Sequence, residues 1–99
     1  MFTHIVAWKY KRETDQKTRE KHRSMLRALP DVIPDIVDFE VGADILSLDR
    51  SYHTGLIARY KDQAAFDFYT VHKAHQEVAA LGKEIAEHVI SVDFESNSR

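Results

Sequence analysis

Residues 2–10 read FTHIVAWKY, and their alternation decides the fold of the chain. Every second residue of a β-strand shares one face of its sheet. One face of this stretch carries Phe2, His4, Val6, Trp8 and Tyr10, whereas Ile5 and Ala7 lie on the other. The pattern predicts a strand that has apolar side chains on both faces.

One helix and a hairpin are predicted next along the chain. Thr14 and Asp15 are suited to cap a helix that runs to about Leu29, where Pro30 ends it. Residues 36–45, IVDFEVGADI, and residues 54–60, TGLIARY, have the alternation of strands. Because only the polar loop 47–53 separates them, the two strands are expected to pair as a hairpin.

The last third of the chain predicts further helix and a final strand. Asp62 is suited to cap a short helix through Phe66 and Tyr69. Residues 76–88 carry a second helical stripe, which is either a separate helix or part of one broken helix. Residues 89–95, VISVDFE, alternate as a fourth strand.

The resulting order of strand, helix, strand, strand, helix, strand predicts a ferredoxin-like α+β sandwich, with one antiparallel sheet and its helices on a single face. A single domain is expected over residues 1–99, with its core in residues 2–95 and a frayed tail at 96–99. The sheet face without helices would expose a large apolar patch in a monomer. We therefore expect a homodimer that packs sheet against sheet.

Composition limits the classes of function. The 99 residues are 43% hydrophobic and 30% charged, which is typical of one globular domain. With no cysteine, neither a disulfide framework nor a thiolate site forms, and a reducing cytoplasm is the expected location. No signal peptide and no membrane span are predicted. A formal net charge of −2 also argues against a nucleic-acid partner.

A basic segment between Lys9 and Arg27 departs from this acidic average, because it holds eight basic residues against three acidic ones. Its helical residues Lys17, Arg19, Arg23 and Arg27 recur at helical spacing. The pattern favours a solvated helix face, and an anion-binding surface is the alternative.

Four stretches together resemble the stress-responsive A/B barrel domain family, a branch of the dimeric α+β barrel superfamily. They are MFTHIVAWKYK, FEVGADI, FYTVHKAHQEV and VISVDFE, and they extend over nearly the whole chain. The resemblance implies two ferredoxin-like subunits that join their sheets into a barrel. The family commonly has the pattern His-Pro-x-His between its helices, whereas this chain has Lys73 at the proline position.

A plant polyketide-cyclase branch of the family implies candidate site residues. By this resemblance His4 and His75 are catalytic candidates and Tyr69 is a pocket-wall or hydrogen-bonding residue. The branch also uses a tyrosine from its first helix, where this chain has apolar residues around Met25 and Leu26. Trp8, Phe66 and His72 are further candidates for ligand binding.

Each histidine has two interpretations. An imidazole with a pKa of about 6.5 is suited to general acid and base catalysis near neutral pH. On this interpretation His75 takes a proton next to a carbonyl group while His4 orients the substrate. The alternative is that both rings are satisfied within the structure.

A metal site is not expected. His72 and His75 are three residues apart, which would place them on one side of a helix. A stable zinc site needs three or four protein ligands, and neither an HExxH motif nor a cysteine set completes one.

The sequence thus predicts a homodimeric A/B barrel domain with a pocket for a small apolar or aromatic molecule between sheet and helices. One alternative is a cofactor-free enzyme, similar to polyketide cyclases or to the monooxygenases of the superfamily, that uses His4 and His75 as acid and base groups. The other is a structural stress protein whose function lies in assembly and stability. No cofactor is expected on any of these interpretations.

Overall fold

A computed structural model describes residues 1–96. The strands are β1 (Phe2–Tyr10), β2 (Ile36–Ala43), β3 (Thr54–Tyr60) and β4 (Ala86–Glu95). The helices are α1 (Gln16–Arg27), α2 (Gln63–Val71) and α3 (Lys73–Ile85), with a short 3-10 turn at Leu29–Asp31. This order confirms the α+β ferredoxin-like prediction, with the second helical segment divided into two helices.

The four strands form one antiparallel sheet in the order β2, β3, β1, β4. β1 therefore lies between β3 and β4, while β2 and β4 form the two edges. Ile5 lies opposite Ile57 of β3 on one side and opposite Val92 of β4 on the other. The predicted hairpin of β2 and β3 is confirmed.

α1 begins where the sequence predicts. The side chain of Asp15 accepts a hydrogen bond from the Thr18 backbone N–H at 2.8 Å, which satisfies one of the free donors of the first turn. The helix ends at Arg27, two residues earlier than expected, because the chain tightens into the 3-10 turn that contains Pro30.

The predicted helix over residues 76–88 is wrong at its end. α3 stops at Ile85, and residues 86–88 already belong to β4. His88 consequently lies in the sheet, opposite Lys9 of β1.

The core lies between the sheet and the three helices. Its largest fully buried side chains are the tyrosines Tyr10, Tyr60 and Tyr69, and Leu26 and Leu29 belong to the same buried cluster. The opposite sheet face, which we call the outer face, carries Ile5, Ile57, Ile90, Val92 and Phe94. No helix among residues 1–96 combines the length and apolar character that a membrane span requires.

The frayed tail was expected to begin at residue 96, but Ser96 is held against β1. The Ser96 backbone N–H donates to the Met1 carbonyl oxygen at 2.8 Å, and the Ser96 hydroxyl lies 3.0 Å from that of Thr3. Ser96 therefore continues the pairing of β1 with β4, and the rest of the predicted tail lies outside the described residues.

Candidate active site

His4 lies on the helix-facing side of β1, and its side chain is 13% exposed. Asp93 is its direct partner in the antiparallel pairing with β4, and the Asp93 carboxylate accepts a hydrogen bond from Nδ1 of His4. A carboxylate accepts only, so this contact places the imidazole proton on Nδ1 and leaves Nε2 as the basic nitrogen.

Two aromatic residues of α2 lie against the His4 ring. Phe66 lies 4.9 Å from it between ring centroids, and Tyr69 lies 6.4 Å from it. They are three residues apart in α2, so both project towards the sheet. Phe66 also stacks on Phe2 at 4.6 Å, which fixes its ring beside His4.

His75 approaches the same place from the first turn of α3. Its Nδ1 lies 3.1 Å from the Thr70 carbonyl oxygen and must donate to it, because a carbonyl oxygen only accepts. Its ring lies 4.4 Å from that of Tyr69. Burial and the charge of His4 lower the pKa of His75, while the hydrogen bond to Thr70 opposes this shift. His75 is therefore neutral at neutral pH, with a free lone pair on Nε2.

Tyr69 is 1% exposed, and burial raises its pKa to about 12. Tyr60 lies beside it with ring centroids 5.1 Å apart, and burial raises the pKa of Tyr60 as well. The Tyr60 hydroxyl has no hydrogen-bond partner of normal geometry among the described residues, although Tyr69 is close enough to affect its ionisation. Both phenols stay protonated and can donate hydrogen bonds.

The structure thus brings together four of the six predicted site residues, namely His4, Phe66, Tyr69 and His75. Trp8 is on the same face of β1 but lies about 13 Å further along the strand, since a strand rises about 3.3 Å per residue. Its ring packs against His22 with centroids 5.0 Å apart.

His72 does not share a helical side with His75, and this expectation is wrong. The chain is extended at His72, which separates α2 from α3. Its Nδ1 accepts a hydrogen bond from the Ala74 backbone N–H at 3.1 Å, so the ring caps α3. Residues 1–96 contain no cluster of three or more potential metal ligands.

Asp93 is the site residue that sequence reasoning missed. Its alternation with Val92 and Phe94 predicted a strand, but its partner depends on how β4 pairs with a strand 89 residues earlier. The signal available was that the helix-facing side of β1 carries a histidine and one side of β4 carries an aspartate.

Four depressions in the described surface have volumes of about 300 to 540 Å³, and none of these four is lined by His4, Tyr69 or His75. Aromatic rings occupy much of the space beside His4. Asp93 is exposed, so the His4–Asp93 pair meets solvent at the side of β4.

Residues 2–96 match the model of the Stress responsive A/B Barrel Domain family, Dabb. The chain belongs to this family. The match confirms the resemblance seen in the sequence, and it covers nearly the whole length of this Dabb protein. No curated protein matches the sequence.

Solved structures share the Dabb fold at low sequence identity. A dimeric ferredoxin-like protein of unknown function from Thermobifida fusca is 22% identical, with a TM-score of 0.86 over 94% of this chain and 88% of the other. The hydroxynitrile lyase of Passiflora edulis is 19% identical, with a TM-score of 0.86 over 99% and 94%. An antibiotic biosynthesis monooxygenase is 15% identical, with a TM-score of 0.78 over 99% and 100%. At these identities the likeness establishes the fold.

Proposed function

We propose that this Dabb protein binds a small apolar or aromatic molecule with a carbonyl group beside His4 and His75, and that His4 transfers a proton on it. The observation that carries the proposal is the hydrogen bond from Nδ1 of His4 to the Asp93 carboxylate. A carboxylate behind an imidazole fixes its tautomer and stabilises the positive charge that the ring acquires as a base.

The two histidines have different surroundings, which favours different roles. The Asp93 carboxylate holds the proton on Nδ1 of His4 and leaves Nε2 as an acceptor, whereas burial lowers the pKa of His75 and keeps it neutral. This favours the reverse of the assignment made from the sequence. Nε2 of His4 takes the proton from the carbon next to the carbonyl, the C–H electron pair forms an enolate, and protonated His4 returns the proton. Tyr69 is a donor close to the carbonyl oxygen, and Nε2 of His75 can accept a hydrogen bond from a hydroxyl group in those substrates that carry one.

The proposal includes a homodimer formed through the outer face. The exposed Ile90, Val92 and Phe94 support it, as does the dimeric state of the Thermobifida fusca structure. A reducing cytoplasmic location is proposed from the lack of cysteine alone.

Hydrogen–deuterium exchange of phenylacetone, an aromatic ketone with acidic methylene protons, tests the proton transfer. The wild type is expected to accelerate exchange at the methylene carbon in D₂O, as followed by proton NMR. Asp93→Asn keeps the size of the side chain but removes its charge, and we expect at least about a tenfold slower exchange. His4→Ala is expected to lose about a hundredfold, in the range of general-base contributions.

Asp67→Asn is the matched control, because Asp67 is exposed on α2. It should exchange phenylacetone at the wild-type rate, and circular dichroism should show that all variants are folded. Equal rates for the wild type and Asp93→Asn would refute the role of the pair. Saturable binding of phenylacetone without exchange would favour a binding protein over an enzyme.

A further inference from the structure

A second polar region lies at the opposite end of β1 from His4. It is a depression of about 300 Å³ between α1 and the connection of β2 to β3. Gln16, Arg19 and Arg23 line it from α1, and Asp44, Ser47 and His53 line it from the connection. Tyr10 is the last residue of β1 at this end, and it lies about 20 Å along the strand from His4.

Arg23 is a buried cation in this depression, which contradicts the expectation that it belongs to a solvated helix face. The residue is 6% exposed. Its Nε donates to Glu20 at 3.1 Å and its Nη1 donates to the Thr54 hydroxyl at 2.9 Å. Among the described residues no acceptor bonds to Nη2, so N–H donors of a rigidly held guanidinium remain for a ligand.

Arg19 is the second cation of the depression, and no carboxylate in the described part of the chain holds it in place. Its Nε donates to the Thr14 carbonyl oxygen at 2.9 Å, and its guanidinium lies 5.3 Å from the centre of the Tyr10 ring. Within residues 1–96 it forms no salt bridge. The backbone and the tyrosine therefore orient its charge before any anion binds.

The side chains that line the depression include two cations, Arg19 and Arg23, and one anion, Asp44, while Glu20 outside the lining forms ion pairs with both Arg23 and Arg27. Asp44 is the carboxylate that lines it, and one of its oxygens accepts a hydrogen bond from the Ser47 backbone N–H at 2.8 Å. His53 reports the local charge: burial, Arg19 and Lys9 lower its pKa, and Asp44 opposes them less strongly. Its Nδ1 accepts a hydrogen bond from the Tyr10 backbone N–H at 2.9 Å, so the half-buried ring is held neutral.

We propose that this depression binds a small oxyanion, a carboxylate or a phosphate group, between Arg19 and Arg23. Guanidinium groups match the planar and bidentate geometry of such anions. The volume of about 300 Å³ suits a small metabolite. The site is independent of the proposed reaction at His4, since the two share no residue.

Titration with inorganic phosphate and with acetate tests the site, at neutral pH and at an ionic strength held constant with chloride. The ring resonances of His53 in NMR spectra of the full chain should shift saturably with at least one of the two probes. Phosphate alone assigns phosphate esters as the ligand class, and acetate alone assigns carboxylic acids. No saturable shift with either probe would overturn the proposal.

Arg19→Gln should weaken binding of the effective probe by at least about tenfold, since one charge-assisted contact is lost. Lys17→Gln removes the same charge from an exposed position of α1 and should stay within about twofold of the wild type. Asp44→Asn keeps an oxygen for Ser47 but removes the negative charge, so it should tighten binding even if Arg19→Gln fails to fold. Equal weakening by the two cation variants, or weaker binding by Asp44→Asn, would contradict the site.

Discussion

His22 is held in a buried hydrogen-bond network next to the proposed anion site. The Tyr10 hydroxyl lies 2.8 Å from Nδ1 of His22 and 2.8 Å from the Thr54 hydroxyl, which also accepts from Arg23. One continuous chain of hydrogen bonds thus joins Arg23, Thr54, Tyr10 and His22, and Arg23 takes part in it only as a donor. Nε2 of His22 has no partner among the described residues and faces Gly82, where an added Cβ would lie 3.0 Å away.

This environment makes the stability of the protein depend on pH. Burial, assisted by the charge of Arg23, lowers the pKa of His22 from 6.5 to about 4. Between these values the unfolded chain binds a proton on this histidine and the folded chain does not. The contribution of neutral His22 to stability is therefore fully present above pH 6.5 and is lost as the pH falls towards 4. We expect this histidine to contribute a slope of at most about 1.4 kcal/mol per pH unit to the free energy of unfolding, measured by urea denaturation.

His22→Asn is expected to flatten this slope, because Asn does not titrate yet keeps an acceptor for Tyr10. Its stability at neutral pH should be lower than that of the wild type, since the smaller side chain leaves a cavity. His88→Asn, at an exposed position of β4, serves as the control and should keep the wild-type slope. A His22→Asn variant with an unchanged slope would show that other groups cause the pH dependence.

Residues whose role depends on their own strand or helix were predictable, and residues whose role depends on a distant partner were not. His4 faces the helices and Tyr69 faces the sheet, as the spacing within β1 and within α2 predicts. Asp93 and Arg23 acquire their roles from His4 and Thr54, which are far away in the sequence. The helical pattern identifies Arg23 only as one of several charged residues of α1. It does not reveal that this side chain is buried and hydrogen-bonded to Thr54.

At the scale of elements, the break between α2 and α3 explains the departure from the family pattern at Lys73. His72 caps α3 and has extended backbone angles, φ −66° and ψ 137°, so Lys73 is the first helical residue. Proline is favoured at this position because its missing N–H would lack a helical partner in any case. The extended conformation of His72 is also the one that a following proline requires. The helix start therefore accepts either lysine or proline.

Lys73→Pro is accordingly expected to stabilise the protein by about 0.4–1 kcal/mol, because proline restricts the unfolded chain without straining the folded one. The measurement is the free energy of unfolding in urea, with Lys73→Ala as the reference for loss of the lysine side chain. Ala79→Pro, in the middle of α3, should instead destabilise by about 3 kcal/mol. A Lys73→Pro variant less stable than Lys73→Ala would show that the start of α3 cannot accept proline.

The element boundaries show where local sequence signals are insufficient. The caps at Asp15 and Asp62 were predicted because a single side chain satisfies each free donor. The passage from α3 to β4 between Ile85 and Ala86 has no proline or glycine to mark it. There the pairing of residues 86–88 with β1 overrides a helical pattern, because tertiary contacts outweigh weak local preferences.

At the scale of the whole molecule, one sheet face has no cover of its own. Val92 is 58% exposed, Ile90 is 53% exposed and Phe94 is 43% exposed, all on the outer face of β4. Ile5 and Ile57 extend this apolar surface across the centre of the sheet. The sequence predicted this face because two-sided apolar strands remain apolar in any register. The position of β4 at the sheet edge, by contrast, follows from the topology.

Val92→Glu should dissociate the proposed homodimer. In a symmetric interface each substitution occurs twice, and two carboxylates would be buried without partners. We expect the dissociation constant to rise at least about a hundredfold, measured by sedimentation velocity over a range of protein concentrations. Val89→Glu introduces the same charge on the same strand but on the helix-facing side, opposite Trp8, and should leave the dimer intact. If the wild type sediments as a monomer, or if the two variants dissociate alike, the outer face is not the interface.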